Sequence, residues 1–61
     1  MMKHIRSTKN PKQFKIGVSL QVWNEIRDWL DENKIQWRAA GEHRIEFDTE
    51  ENATLFALRW L

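Results

Sequence analysis

The segment "FKIGV" alternates apolar and polar positions, with Phe14, Ile16 and Val18 on one side and Lys15 and Gly17 on the other. Period-two alternation marks a strand with one buried face. The pattern then changes. In "SLQVWNEIRDWLDENK" the apolar residues Val22, Trp23, Ile26, Trp29 and Leu30 fall within an arc of about 120° on a helical wheel. Asn24, Glu25, Asp28, Asp31 and Glu32 take the other side. Ser19 is placed to cap this helix, since its hydroxyl accepts a hydrogen bond from an otherwise orphaned first-turn N–H. Val18 and Trp23 have the spacing of a hydrophobic staple. Asn33, which tolerates the left-handed conformation, marks the end.

Alternation returns twice. "IQWRA" sets Ile35, Trp37 and Ala39 against Gln36 and Arg38, and "HRIEFD" sets His43, Ile45 and Phe47 against Arg44, Glu46 and Asp48. Between them Gly41 can take positive φ, so the pair is predicted to be a hairpin. "DTEENATLFALRWL" is predicted to be a second helix, capped by Asp48 or Thr49, with Glu50 and Glu51 at the positive end of the helix dipole. Its packing face holds Ala53, Phe56, Ala57, Trp60 and Leu61. Leu55 and Leu58 point about 200° and 140° away from Ala53.

The expected fold class is therefore α+β, in the order β-α-β-β-α. Hairpin strands are neighbours, and the crossover through the first helix joins parallel strands. Both conditions are met by a three-stranded sheet with the third strand in the middle and two helices on one face, a truncated ferredoxin-like arrangement. In that arrangement Phe14–Val18 is an unprotected edge, open to pairing with a symmetry mate. The edge residues Phe14, Ile16 and Val18, with Leu55 and Leu58, are the expected protein interface of a homodimer.

Charge adds a second surface. The net charge of +1 conceals an asymmetry: the first fifteen residues carry +5 and the rest −4. Residues 1–12 are expected to be a basic flexible arm, punctuated by the turn-forming Asn10-Pro11, before a single domain over 13–61. Lys3, Arg6, Lys9 and Lys12 of the arm, with Lys15, Arg38 and Arg44 on the sheet face away from the helices, are candidates for contact with an anionic partner. Nucleic acid is the first such partner. The strand aromatics Phe14, Trp37 and Phe47 all have core parity, so base stacking is not expected and weak backbone binding is.

Catalytic and metal chemistry find little support. The chain has no cysteine, so it has no disulfide and no thiolate. Ser7 lies in the arm and Ser19 is used as a cap. His43 shares parity with Ile45 and Phe47, while Glu42 and Glu46 point the other way, so the three do not converge on a cation. Glu25, Asp28, Asp31 and Glu32 lie on an outer helix face, where nothing desolvates them. Gly17 and Gly41 do not form a phosphate loop. No cofactor and no enzymatic activity are expected. No run approaches the ~20 apolar residues of a membrane span, and the N-terminus lacks the apolar core of a signal peptide. The expected setting is the cytoplasm.

The C-terminal "RIEFDTEENATLFALRWL" resembles the end of small uncharacterised proteins of tailed phages, including marine ones. The residues that carry the resemblance are Ile45, Phe47, Ala53, Phe56, Leu58 and Trp60, within about a third of the chain. The resemblance implies a viral origin, a host-cell cytoplasmic setting and an accessory role in binding host or viral machinery. It implies no defined activity.

Overall fold

Asn10-Pro11 turns the chain back on itself, and what precedes the turn is a strand. The computed structural model describes residues 4–61. Strand β1 (His4–Ser7) pairs antiparallel with β2 (Gln13–Gly17), Ile5 opposite Ile16 and Arg6 opposite Lys15. The connecting turn is closed by the Gln13 amide donating to the Asn10 carbonyl at 3.0 Å, with proline at its second position, where a fixed φ suits the bend. The Lys12 amide donates to Asn10 Oδ1 at 2.9 Å and the Asn10 amide to Thr8 Oγ1 at 3.2 Å, so side chains complete the turn.

Helix α1 (Leu20–Glu32) follows, capped by Ser19, whose Oγ accepts from the Val22 amide at 3.3 Å. It ends in a Schellman motif: the Lys34 amide donates to Asp31 and the Ile35 amide to Leu30. The left-handed residue is Lys34, with φ 54°, rather than Asn33, which caps with φ −92°. The motif carries its usual apolar contact positions, since both Leu30 and Ile35 are buried. Strands β3 (Trp37–Ala39) and β4 (Arg44–Phe47) form the expected hairpin, with positive φ at Gly41 and also at His43. Helix α2 (Glu50–Trp60) is capped by Thr49, whose hydroxyl accepts from the Asn52 amide at 3.1 Å.

The sheet order is β1-β2-β4-β3, antiparallel throughout. The fold class is α+β as expected, and β4 does lie between the strands joined by the α1 crossover. The sheet has four strands, not three. The reason is β1, which hydrogen-bonds along β2 and converts the expected edge into an interior strand. Phe14 and Ile16, expected at a free edge, are buried, and Val18 is half-buried just beyond the strand.

Every buried sheet residue has one parity. Phe14, Ile16, Ile45 and Phe47 share a core with Ile26 and Leu30 of α1 and with Ala53, Phe56 and Trp60 of α2. Both helices therefore cover the same face. Phe56 sits at the centre, its ring 4.9 Å from that of Phe14 and 5.1 Å from that of Phe47. Trp29 bridges the helices with edge-on contacts to Phe56 and Trp60. No polar or charged residue among those described is buried, so the core is held by apolar area and aromatic packing.

Candidate interaction surfaces

Three surface features stand out from this frame. The first is the outer side of α2. Ala53, Phe56 and Trp60 commit one side of the helix to the sheet, and the 3.6-residue period turns Leu55 and Leu58 outward. Leu55 is 46% exposed, Leu58 79% and Leu61 62%. Leu61 was expected in the packing face. It lies one residue past the last helical turn, as the C-cap, and its side chain stays in the open. The three leucines recur every third residue and form an apolar ridge. Beside it the Arg59 guanidinium lies 4.4 Å from the centre of a Trp60 ring.

The second feature is the open face of the sheet. Pairing register fixes which side chains meet there. Arg6 stands opposite Lys15, and Lys15 stands opposite Arg44, so three cations line up across β1, β2 and β4. All three are exposed, and no ion pair or side-chain hydrogen bond among the described residues involves them. The neighbouring row is different. Gln13 stands opposite Glu46, and Glu46 opposite Arg38. Arg38 Nη2 donates to Glu46 Oε2 at 3.0 Å, and Gln13 Nε2 to Glu46 Oε1 at 3.4 Å. The Arg38 hydrogen bond holds the Glu46 carboxyl below its ordinary value against desolvation, and the Arg38 charge, the Gln13 amide and the Lys12 charge add to the lowering.

Of the expected anion-contact residues, the structure thus brings Arg6, Lys15 and Arg44 together and neutralises Arg38. Lys12 is near enough to Glu46 for its charge to act on that carboxyl, and Lys9 is exposed in the β1–β2 turn; neither is in the register pairs that form the row. Lys3 lies outside the described residues. The row depends on β1, because only a paired strand sets Arg6 in register with Lys15.

The third feature was not expected. A cleft of about 480 Å³ opens on the helix-covered side of the sheet, near the start of α1. Its walls include Val18, Leu20, Trp23, Trp37 and Ala39, and Leu20 is 74% exposed. Trp23 and Trp37 meet edge to face at 5.5 Å and close one side. Leu20 carries the only sequence signal: an apolar residue at the first helical position, outside the core-facing arc of α1.

Among the described residues no group of three or more His, Asp or Glu side chains is placed to hold a metal ion. His43 is exposed and lies 3.8 Å from Glu42, which is more exposed still. No helix of the described residues is long and apolar enough to cross a membrane. Comparison of the chain with protein-family models, curated proteins and solved structures finds no match.

Proposed function

We propose that this chain is a non-catalytic interaction module that forms a homodimer through the leucine ridge of α2 and, as a dimer, serves a protein partner. One observation carries the reading: Leu55, Leu58 and Leu61 stand together in water, whereas the other large apolar side chains among the described residues, apart from Leu20, are buried wholly or in part. Adjacent exposed leucines on one helix cost solvation free energy that a matching surface recovers. A second copy supplies such a surface, since a two-fold contact sets the same ridge against itself. The helix takes over the role first expected of Phe14–Val18, whose edge β1 now occupies. The resemblance to small tailed-phage proteins adds that the partner would be a host or viral protein met in the host cytoplasm. The portion from β2 to α2 reads as a ferredoxin-like split βαβ without its last strand, a relation supported by the order β2-β4-β3.

Size-exclusion chromatography with light scattering at micromolar concentration tests the dimer. Wild type is expected at twice the chain mass. The double substitution Leu55→Glu and Leu58→Glu is expected to run at the single-chain mass with its circular dichroism unchanged. Wild type eluting as a monomer across the concentration range removes the reading.

A second reading, an auxiliary nucleic-acid-binding protein, is favoured by the cations on the open sheet face.

A further inference from the structure

We infer that Arg6, Lys15 and Arg44 form a phosphate-contacting row that holds the backbone of a single-stranded nucleic acid across the strands, independently of its base sequence. The inference rests on the nucleic-acid reading and adds to it a site, a direction and a mode.

Like charges directly opposite one another on a sheet are destabilising, and here two such pairs share Lys15. The acid that would relieve them is on the same face but occupied. Glu46 is bound to Arg38 on one side and Gln13 on the other. The face is therefore divided into a neutralised row and a cationic row. Only an external anion compensates the second.

Dimensions favour a polyanion over a single ion. Strands lie about 4.8 Å apart, so the outer members of the row are separated by about 10 Å at the backbone. Stacked nucleic acid carries one phosphate per about 3.4 Å of each strand, so the row matches about three phosphates. The next pair along the same face is Gly17 and His4, where Gly17 brings no side chain of its own. Both helices pack on the other face, so no helix stands on this one to enter a groove. All strand aromatics point into the core side, which excludes stacking on bases as the mode. What remains is charge, and charge reads the backbone.

The test is fluorescence anisotropy with a labelled oligothymidylate of about twelve nucleotides, a length within ordinary single-strand site sizes, between about 50 and 200 mM salt. Three phosphate contacts predict a slope near −2 in log K against log salt, a loss of about 20-fold over that range. Each of Arg6→Gln, Lys15→Gln and Arg44→Gln is expected to reduce the slope by about 0.7. Lys9→Gln with Lys12→Gln is expected to leave it in place. The triple row variant is also expected to melt at a higher temperature than wild type at low salt, with the difference closing as salt rises. Absence of wild-type binding at low salt overturns both the row and the nucleic-acid reading. Binding lost with Lys9 and Lys12 but retained in the row variant overturns the row alone. Binding to anionic phospholipid vesicles without binding to oligothymidylate assigns the face to a membrane surface and overturns the proposal. A row variant that melts lower than wild type at low salt shows that the cations are not in mutual repulsion, and overturns the physical basis.

Discussion

Phe56 and Leu58 are two residues apart on α2 and face opposite environments, so truncating each to alanine separates the core from the ridge. Phe56 is fully buried against Phe14, Phe47 and Trp29. Phe→Ala at such a site costs about 3–5 kcal/mol, transfer and cavity terms together. At roughly 0.05–0.15 kcal/mol per residue, a chain of this length has about 3–9 kcal/mol in total. Phe56→Ala is therefore expected to lose about a third or more of the total stability. Leu58 is 79% exposed, so about a fifth of its side chain is covered. Full burial of a leucine contributes about 1.5–3 kcal/mol, which makes the loss about 0.3–0.6 kcal/mol in the monomer. The better helix propensity of alanine offsets a few tenths of that. Urea unfolding followed by tryptophan fluorescence at several protein concentrations measures both. The apparent stability of a dimer rises with concentration by mass action. Wild type is expected to show that rise and Leu58→Ala to lack it, while the two converge on dilution. A Leu58→Ala loss above about 2 kcal/mol at the dilute limit would place that leucine in the core and refute the division of α2 into two faces. A Phe56→Ala loss below about 1 kcal/mol would refute it from the other side.

Deleting residues 1–7 strips β1 from β2 and exposes the ladder that β1 now satisfies, so concentration-dependent association through that edge is expected by light scattering, over and above any ridge contact. A truncated chain, tested with Leu55→Glu and Leu58→Glu, that stays monomeric would show the β2 edge to be harmless. Lys34→Gly is expected to raise stability by about 0.5–1 kcal/mol, because glycine adopts the left-handed φ of 54° without the Cβ penalty; a lower melting temperature would contradict this. Acid should weaken the fold through Glu46. Its folded-state pKa is lowered, so its contribution is present above the ordinary value of about 4.3 and is lost as pH falls through the depressed folded value. The melting-temperature advantage of wild type over Glu46→Gln should shrink across that window, and an advantage that grows on acidification would contradict the assignment.

Helix α1, its serine cap and the core parity of β2, β3 and β4 were legible because each is written as a period over several residues. The order β2-β4-β3 follows from a hairpin and one crossover. The first strand was not legible, for a physical reason. "HIRS" has one apolar residue, Ile5, and buries little. Its pairing is stabilised by backbone hydrogen bonds to a neighbour and by the Asn10-Pro11 turn, and neither leaves a hydrophobic pattern. The turn itself was readable; what lay before it was not. Positive φ at Lys34 and His43 was hidden too; at Lys34 the helix-ending hydrogen bonds impose the left-handed turn on a residue type that does not advertise it. The candidate cations were picked individually by charge. Which three act together depended on register, and register depended on the strand that charge and polarity had disguised. The cleft beside Trp23 and Trp37 arises from where the helices stop covering the sheet, a property of docking geometry that no local pattern encodes.

The two surfaces constrain one another. The leucine ridge is the outer side of a helix that packs on the covered face of the sheet, and the cationic row is on the open face. A two-fold contact through α2 therefore places the two open faces outward, on opposite sides of the dimer, with both helical layers between them. Such a dimer cannot lay one short oligonucleotide along both rows. In such a dimer each protomer would bind its own strand, and dimerisation would add avidity only toward a nucleic acid long enough to wrap around or be shared. Binding of a short oligothymidylate should thus be the same in wild type and in the Leu55→Glu, Leu58→Glu monomer, apart from the weak long-range effect of two added charges, which salt screens. A short strand bound many times more tightly by the dimer would mean that the two rows are adjacent, and that the chains meet through some element other than the ridge of α2.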